Sequence, residues 1–263
     1  MRQILFPVDF SEQCDLTAPA VAATARQFGA AVTLLHVVRL PAFRTEFAPY
    51  KDHFRTIIEE FEGGLREYQR DVWAGISVDP LLRMGDPVHE IVEFARIPGV
   101  DLMMMPTRGS TRFRQLLLGS VTAGVLHDTE CPVWTTAHAE AATPFQPYRS
   151  VLCAIDLGHA SVAVLRQAGL FASRYGAPLH VMHVSGFSGA RVQCESLVAE
   201  AGVSPADIHV AAGNVVDAVF ASELRVGADL LVIGRGRIQG PLGRLRTNAH
   251  DIIRLSRCPV LSV

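Results

Sequence analysis

The sequence predicts an α/β fold, with two doubly wound, mostly parallel five-stranded sheet domains in tandem, and three observations carry that prediction. Short, predominantly apolar runs at residues 4–8, 32–38, 102–105 and 132–136 alternate with helical segments, as expected of strands covered on both faces of a parallel sheet. The chain also repeats itself. Phe28-Gly29-Ala30-Ala31-Val32-Thr33-Leu34-Leu35-His36-Val37 is answered by Tyr175-Gly176-Ala177-Pro178-Leu179-His180-Val181-Met182-His183-Val184, an offset of 147 (36 to 183). Finally, 49% of residues are apolar and only 19% are charged, which suits a well-buried core and excludes intrinsic disorder.

Each element follows from its local pattern. The first strand, 4–8, ends in Asp9, and Ser11 is placed to cap a helix that closes at Phe28-Gly29, glycine being the usual residue just past a helix end. A second strand covers 32–38 and a third 78–82. Gly85-Asp86-Pro87 then opens a helix with proline in its first turn. A fourth strand covers 102–105, Gly119-Ser120 begins or lies beside another helix, and 132–136 is the fifth strand. The second half repeats this order. Val151-Leu152-Cys153-Ala154-Ile155-Asp156 matches Ile4-Leu5-Phe6-Pro7-Val8-Asp9 at the offset of 147, while Asp229-Leu230-Leu231 matches Asp101-Leu102-Met103 at 128 (101 to 229). The fall from 147 to 128 gives the first half an insert of about 19 residues between His36 and Gly85. Within it, Phe54, Ile57, Ile58, Phe61, Leu65 and Tyr68 recur at helical spacing over about 52–70, for packing on its own domain or for service as a lid or docking helix. Domains are expected at 1–138 and 148–263, joined by a linker within 137–149. The apolar fifth strands, 132–136 and 259–263, are expected at a shared edge of an intramolecular pseudo-twofold pair, because an uncovered edge invites aggregation. Further pairing into a homodimer is left open.

Several function classes are excluded early. A net charge of −2 supplies no basic field for nucleic acid or an anionic membrane. No run approaches the roughly 18 apolar residues of a membrane span, and Asp9 interrupts the first apolar run too early for a signal peptide. Five cysteines without a CxxC pair argue against disulfides or a zinc site, so a cytoplasmic location is expected. Lys51 is the sole lysine and precedes Asp52, which rules out a Walker A loop. His180 and His183 lie three apart on a strand, hence on opposite faces, and cannot share a metal.

In an open α/β sheet, ligands sit beyond the carboxyl ends of the strands at the switch point. Asp9 and Asp156 stand there, either to accept hydrogen bonds from a ribose or an adenine amine or to cap the following helix. After the fourth strand comes Met105-Pro106-Thr107-Arg108-Gly109-Ser110-Thr111-Arg112-Phe113-Arg114, continuing to Gly119-Ser120-Val121. Glycines let backbone N–H groups approach a phosphate, a helix N-terminus adds partial positive charge, and the guanidinium groups of Arg108, Arg112 and Arg114 suit phosphate oxygens.

Gly109, nine residues and then Gly119-Ser120, together with Pro7-Val8-Asp9-Phe10-Ser11, Leu35-His36-Val37-Val38 and Cys131-Pro132-Val133, resemble the universal stress protein family. The resemblance spans both halves and implies the adenine-nucleotide α-hydrolase-like fold. It also implies ATP or a related adenine nucleotide as a regulatory ligand. Adenine and ribose contacts would come from Pro7, Asp9 and the Val37 backbone, and phosphate contacts from Gly109, Gly119, Ser120 and Val121, with Mg²⁺ joining through the phosphates. Pro106 stands where the family has its first loop glycine and brings no N–H. The second-half candidates are Asp156, Val184, Gly234, Gly236, Arg246 and Thr247, but Arg246-Thr247 replaces Gly-Ser, and Arg235, Arg237, Arg244 and Arg246 crowd the loop. These arginines either form a phosphate cradle or, in the reading preferred here, Arg246 fills the pocket. One nucleotide per chain, in the first half, is therefore expected. Hydrolysis, if any, is expected to be slow, without a general base or a lysine at the phosphates. The rival readings are a nucleotide-free interaction module of the same fold and a nucleotidyl-transferring enzyme.

Overall fold

The computed structural model describes residues 1–39, 51–107, 118–136, 145–235 and 247–263, with the backbone alone at 51–55 and 247. The first half runs β1 (Gln3–Pro7), α1 (Glu12–Phe28), β2 (Ala31–Val38), α2 (Lys51–Glu67), β3 (Val78–Met84), α3 (Pro87–Ala95), β4 (Leu102–Met105), α4 (Ser120–Asp128) and β5 (Val133–Thr135). The second runs β6 (Val151–Ala154), α5 (Ser161–Tyr175), β7 (Leu179–Val184), α6 (Ala190–Ala201), β8 (Asp207–Ala211), α7 (Val215–Val226), β9 (Leu230–Ile233), α8 (Thr247–Leu255) and β10 (Val260–Ser262). The helix signals read from sequence operate as expected. Ser11 Oγ accepts the Cys14 N–H at 3.4 Å, Gly29 takes the left-handed conformation (φ 65°) past the end of α1, and Asp86 caps α3 ahead of Pro87.

The two expected five-stranded sheets do not remain separate. They merge into one ten-stranded sheet, ordered β3-β2-β1-β4-β5-β10-β9-β6-β7-β8. All pairings are parallel except the central one, where β5 and β10 run antiparallel with Trp134 opposite Leu261. Because successive strand residues face opposite sides, Ile4 and Phe6 enter a core layer with α1, α5 and the insert helix α2. Leu5, Met103 and Met105 enter a second layer with α3, α4, α7 and α8. Met103-Met104-Met105 is thus buried strand.

The seam is aromatic on the α1/α5 face. The ring centroids of Phe28 and Phe171 lie 5.1 Å apart and those of Tyr148 and Tyr175 4.8 Å apart, within the range of favourable ring pairs. Trp134 Nε1 donates to Tyr148 Oη at 2.8 Å. Residues 137–144 of the expected linker lie outside the described residues, but its end is not a solvated tether: Tyr148 is buried in the seam. At the second half's lower end, buried Glu223 accepts the Arg257 N–H at 3.2 Å through Oε1, while its Oε2 has no hydrogen-bond partner. Burial raises the Glu223 pKa above the ordinary 4.5.

Two outcomes are expected from this packing. Tyr148→Phe strands the buried Trp134 N–H, at a cost of about 1–3 kcal/mol in urea unfolding with an unchanged m-value. A carboxyl whose folded pKa is raised contributes stability below its unfolded pKa and loses it as pH rises through the folded value. Glu223→Gln should therefore raise the urea midpoint at pH 7, with an advantage that shrinks toward pH 4.

Candidate functional site

Strand order reverses at β1 and at β6, each flanked by the second strand of its half on one side and the fourth on the other, so a crevice opens past the carboxyl ends of each pair. Asp9 lies two residues beyond β1, and Asp156 two beyond β6. The residues that follow, Phe10 and Leu157, are 147 apart and both left-handed, with φ of 57° and 61°. Side-chain-bearing residues pay a conformational penalty there, and the penalty recurs at the same place in both halves. The carboxylates help to hold these turns. Asp9 Oδ1 accepts the Ser11 N–H at 3.0 Å and the Cys14 thiol at 3.1 Å, and Asp156 Oδ1 accepts the Gly158 N–H at 2.8 Å and Ser161 Oγ at 3.2 Å. Neither carboxylate is the N-cap of its helix, a place taken by Ser11 in α1 and Ala160 in α5; each holds the turn before the helix, and both side chains remain exposed at the crevice mouth. Burial, and then the charge of Asp9, push the Cys14 thiol up to about 12, so it stays protonated and donates.

His36 and His183 prove to be structural. Their Nδ1 atoms bond the carbonyl oxygens of Val8 at 2.7 Å and Ile155 at 2.8 Å, tying the second strand to the end of the first. The Phe61 ring of α2 stacks on His36 at 4.7 Å, with Phe10 against both rings, and Leu65 and Tyr68 are buried. The insert helix thus packs on its own half; the side chain of Phe54 lies outside the described residues. Val37 lies beyond the last β1–β2 pair, Pro7 with Leu35, on the side of β2 that faced β1. Its backbone is thereby placed at the crevice, and Val184 holds the same position in the second half.

The start of α4 holds the first-half residues expected to meet a phosphate. Arg108, Gly109, Arg112 and Arg114 lie outside the described residues, but both ends of their loop are anchored. Gly119 N–H donates to the Thr107 carbonyl at 2.8 Å, Thr107 N–H to Thr136 Oγ1 at 3.2 Å, and Thr122 Oγ1 to the Pro106 carbonyl at 3.0 Å. Gly119 thus spends its own N–H on loop closure. The amides of Ser120, Val121 and Thr122 precede the first helical bond, Ala123 N–H to Gly119 carbonyl, and α4 has no side-chain N-cap. Helix starts of this kind favour anions.

The second half differs in kind. Gly236, Arg237, Arg244 and Arg246 lie outside the described residues, as does the side chain of Thr247. Arg235 does not join a phosphate cradle. Its side chain, 6% exposed, crosses the seam, and its guanidinium bonds the carbonyls of Leu126 (3.4 Å), Thr129 (3.0 Å) and Cys131 (2.8 Å) in the first half. Its backbone N–H bonds the Val263 carbonyl at 3.0 Å, which fixes Gly234 and Arg235 along β10. Motif reading missed Arg235. The available signal was its alignment with buried Thr107 at the offset of 128, an arginine in a slot that is interior in the other half. Among the described residues no group of three His, Cys, Asp or Glu side chains could hold a metal ion, and no helix is long and apolar enough to cross a membrane.

The universal stress protein family model matches residues 1–136. The chain is 30% identical over 156 residues to universal stress protein MJ0577 of Methanocaldococcus jannaschii, covering 50% of this chain and 92% of that one. It is 26% identical over 191 residues to a universal stress protein of Mycolicibacterium smegmatis, covering 69% and 63%. The crystal structure of a universal stress protein from Archaeoglobus fulgidus superposes with a TM-score of 0.78 at 24% identity, over 99% of this chain and 97% of the other, and so shares the fold throughout.

The anchoring of the α4 loop has a measurable consequence. Thr122→Val removes the bond to the Pro106 carbonyl at nearly constant volume, with an expected loss of about 1 kcal/mol in urea unfolding and faster hydrogen exchange at the Gly119 amide.

Proposed function

The chain belongs to the universal stress protein family, and from that premise we propose that it binds one adenine nucleotide, ATP or a close relative, in its first half as a regulatory ligand. The observation that carries this reading is the N-terminus of α4. It has no side-chain cap, and its first-turn amides of Ser120, Val121 and Thr122 point out of a helix beside the crevice that Asp9 borders. That donor set suits a phosphate group, even with the N–H that Pro106 lacks. Pro7, Asp9 and the Val37 backbone would meet the adenosine moiety, Arg108 and Gly109 would close over the phosphates, and Mg²⁺ would arrive with them. Turnover would be slow, because the site offers no lysine and no evident general base.

The 148–263 domain is read as a nucleotide-free structural partner of the 1–138 domain. Arg235 favours this, since the residue that opens the second loop is committed to the opposite half. Cytoplasmic location fits the five buried free thiols.

Calorimetric titration of the full chain with ATP and Mg²⁺ tests the reading, with one site per chain expected. Gly119 has φ −59° and ψ 144°, which valine adopts without strain. Gly119→Val should therefore block approach to the phosphates and abolish binding without unfolding the chain, whereas Asp156→Ala should bind as wild type. Loss of binding in Asp156→Ala with retention in Gly119→Val would show that the second half is the nucleotide site.

A further inference from the structure

Helix α4 is short, nine residues from Ser120 to Asp128, and two and a half turns are marginal without tertiary support. Its carboxyl end has no left-handed glycine. Thr129, extended at φ −85° and ψ 150°, follows the last turn and uses its N–H on the Val125 carbonyl. The Leu126 carbonyl of the last turn, at 3.4 Å, and the Thr129 and Cys131 carbonyls at and just past the helix end, at 3.0 and 2.8 Å, go to the guanidinium of Arg235, contributed from 104–109 residues further along the chain. A buried cation on the carbonyls at and just past a helix end satisfies acceptors there and complements the negative end of the helix dipole. The fork of Arg235 spans three carbonyls, and its own backbone is fastened to β10.

The arrangement is one-sided. In the first half the residue aligned with Arg235 is Thr107, which stays in its own half and bonds Thr136. At the aligned end of α8, the chain is met by a carboxylate, Glu223, on the Arg257 N–H. No cation from the first half reaches α8 among the described residues. The second half thus grips the end of the first half's α4 through Arg235, and among the described residues nothing equivalent returns.

We propose that Arg235 is a positioning residue for the nucleotide site of the opposite half, holding α4 by its carboxyl end so that the amides of Ser120, Val121 and Thr122 stand fixed where a phosphate meets them. This rests on the proposed reading of α4 as the phosphate-binding helix, and it makes the second half a regulator of the first half's affinity. Linkage makes the coupling reciprocal: nucleotide at the amino end of α4 strengthens the grip of Arg235 at the carboxyl end. A change in the second half that shifts Arg235 would then be felt as a change in nucleotide affinity one helix length away.

The test uses the full chain, ATP calorimetry and amide hydrogen exchange on nucleotide-free protein. Arg235→Met keeps the length of the side chain but removes the cation and its donors. It should weaken ATP binding about tenfold, within the usual span of coupling between sites, and speed exchange along α4 while leaving α8 unchanged. Arg235→Lys, which retains the charge without the fork, should lose less on both measures, and it carries the test should the methionine variant fail to fold. Arg174→Met, on the α1/α5 face of the same seam where Arg174 bonds the Phe28 carbonyl, should bind ATP as wild type. Wild-type ATP affinity in both Arg235 variants overturns the proposal, as does an equal loss in Arg174→Met, which would mean a general loosening of the seam. Wild-type protein that takes up no ATP overturns the nucleotide reading and the regulation with it. The exchange data then still judge the grip itself, and unchanged exchange along α4 would refute that too.

Discussion

A half of this kind ends in a short, buried strand with one bonded neighbour, and the remaining edge must be covered. β5 lies on β4 and β10 on β9, and each would otherwise present a row of unpaired N–H and C=O groups. Pairing the two edges with each other, Val133 to Ser262 through Thr135 to Val260, removes both liabilities at once. The Thr135 and Ser262 hydroxyls then bond carbonyls of the facing strand at 3.3 and 3.2 Å. Much else follows from that pairing. It sets α1 against α5 on one face, where the aromatic cluster forms. On the other face it brings the chain after β9 to the carboxyl end of α4, where Arg235 finds its carbonyls. Both outer edges carry their own protection or exposure, with Pro80 and Asp79 on β3 and His209 on β8.

Once joined, the two halves were free to diverge. The first keeps the glycine, the spacing and the uncapped helix start, and it adds α2, whose Phe61 stacks on His36 and Phe10 beside the crevice. The second keeps the turn geometry, with Asp156 and left-handed Leu157 as in the first half, and the structural histidine. It has converted the start of its loop into an intramolecular contact. Conserving the scaffold while changing the loop is what a sheet of this type permits, since the strands carry the stability and the loops beyond their carboxyl ends carry the ligand contacts.

What was legible in the sequence was local or repeated. Ser11, Gly29, Asp86 and Pro87 announce helix ends because capping is a contact between near neighbours. The seam strands announced themselves through predominantly apolar runs in both halves. Three features could not be read in this way. The bond from Trp134 to Tyr148 makes core of a segment whose composition suggests a linker. Gly119 offers its N–H to Thr107 because the loop closes on itself, a matter of geometry that residue spacing does not encode. Arg235 stands in a glycine- and arginine-rich motif that suggests phosphate, yet its partners lie more than a hundred residues away, and only the antiparallel pairing of β5 with β10 brings them near.

The chemistry at the two pseudo-equivalent helix ends argues for the same division of labour. A cation at a helix carboxyl terminus is favourable and a carboxylate there is not, yet the end of α8 is met by Glu223, whose pKa burial raises. A group held so tends to give up its charge rather than add a strong electrostatic tie to the helix end. The end of α4 and the residues just past it therefore have a charged anchor in Arg235 where the end of α8 has a buried acid. If both helices bound phosphate at their amino ends, both would need comparable rigidity, and a duplicated fold could supply the same device twice. Supplying it once, and drawing it from the half whose loop-opening residue Arg235 is committed to the opposite half, is the pattern expected of the proposal that one half binds and the other holds it in shape.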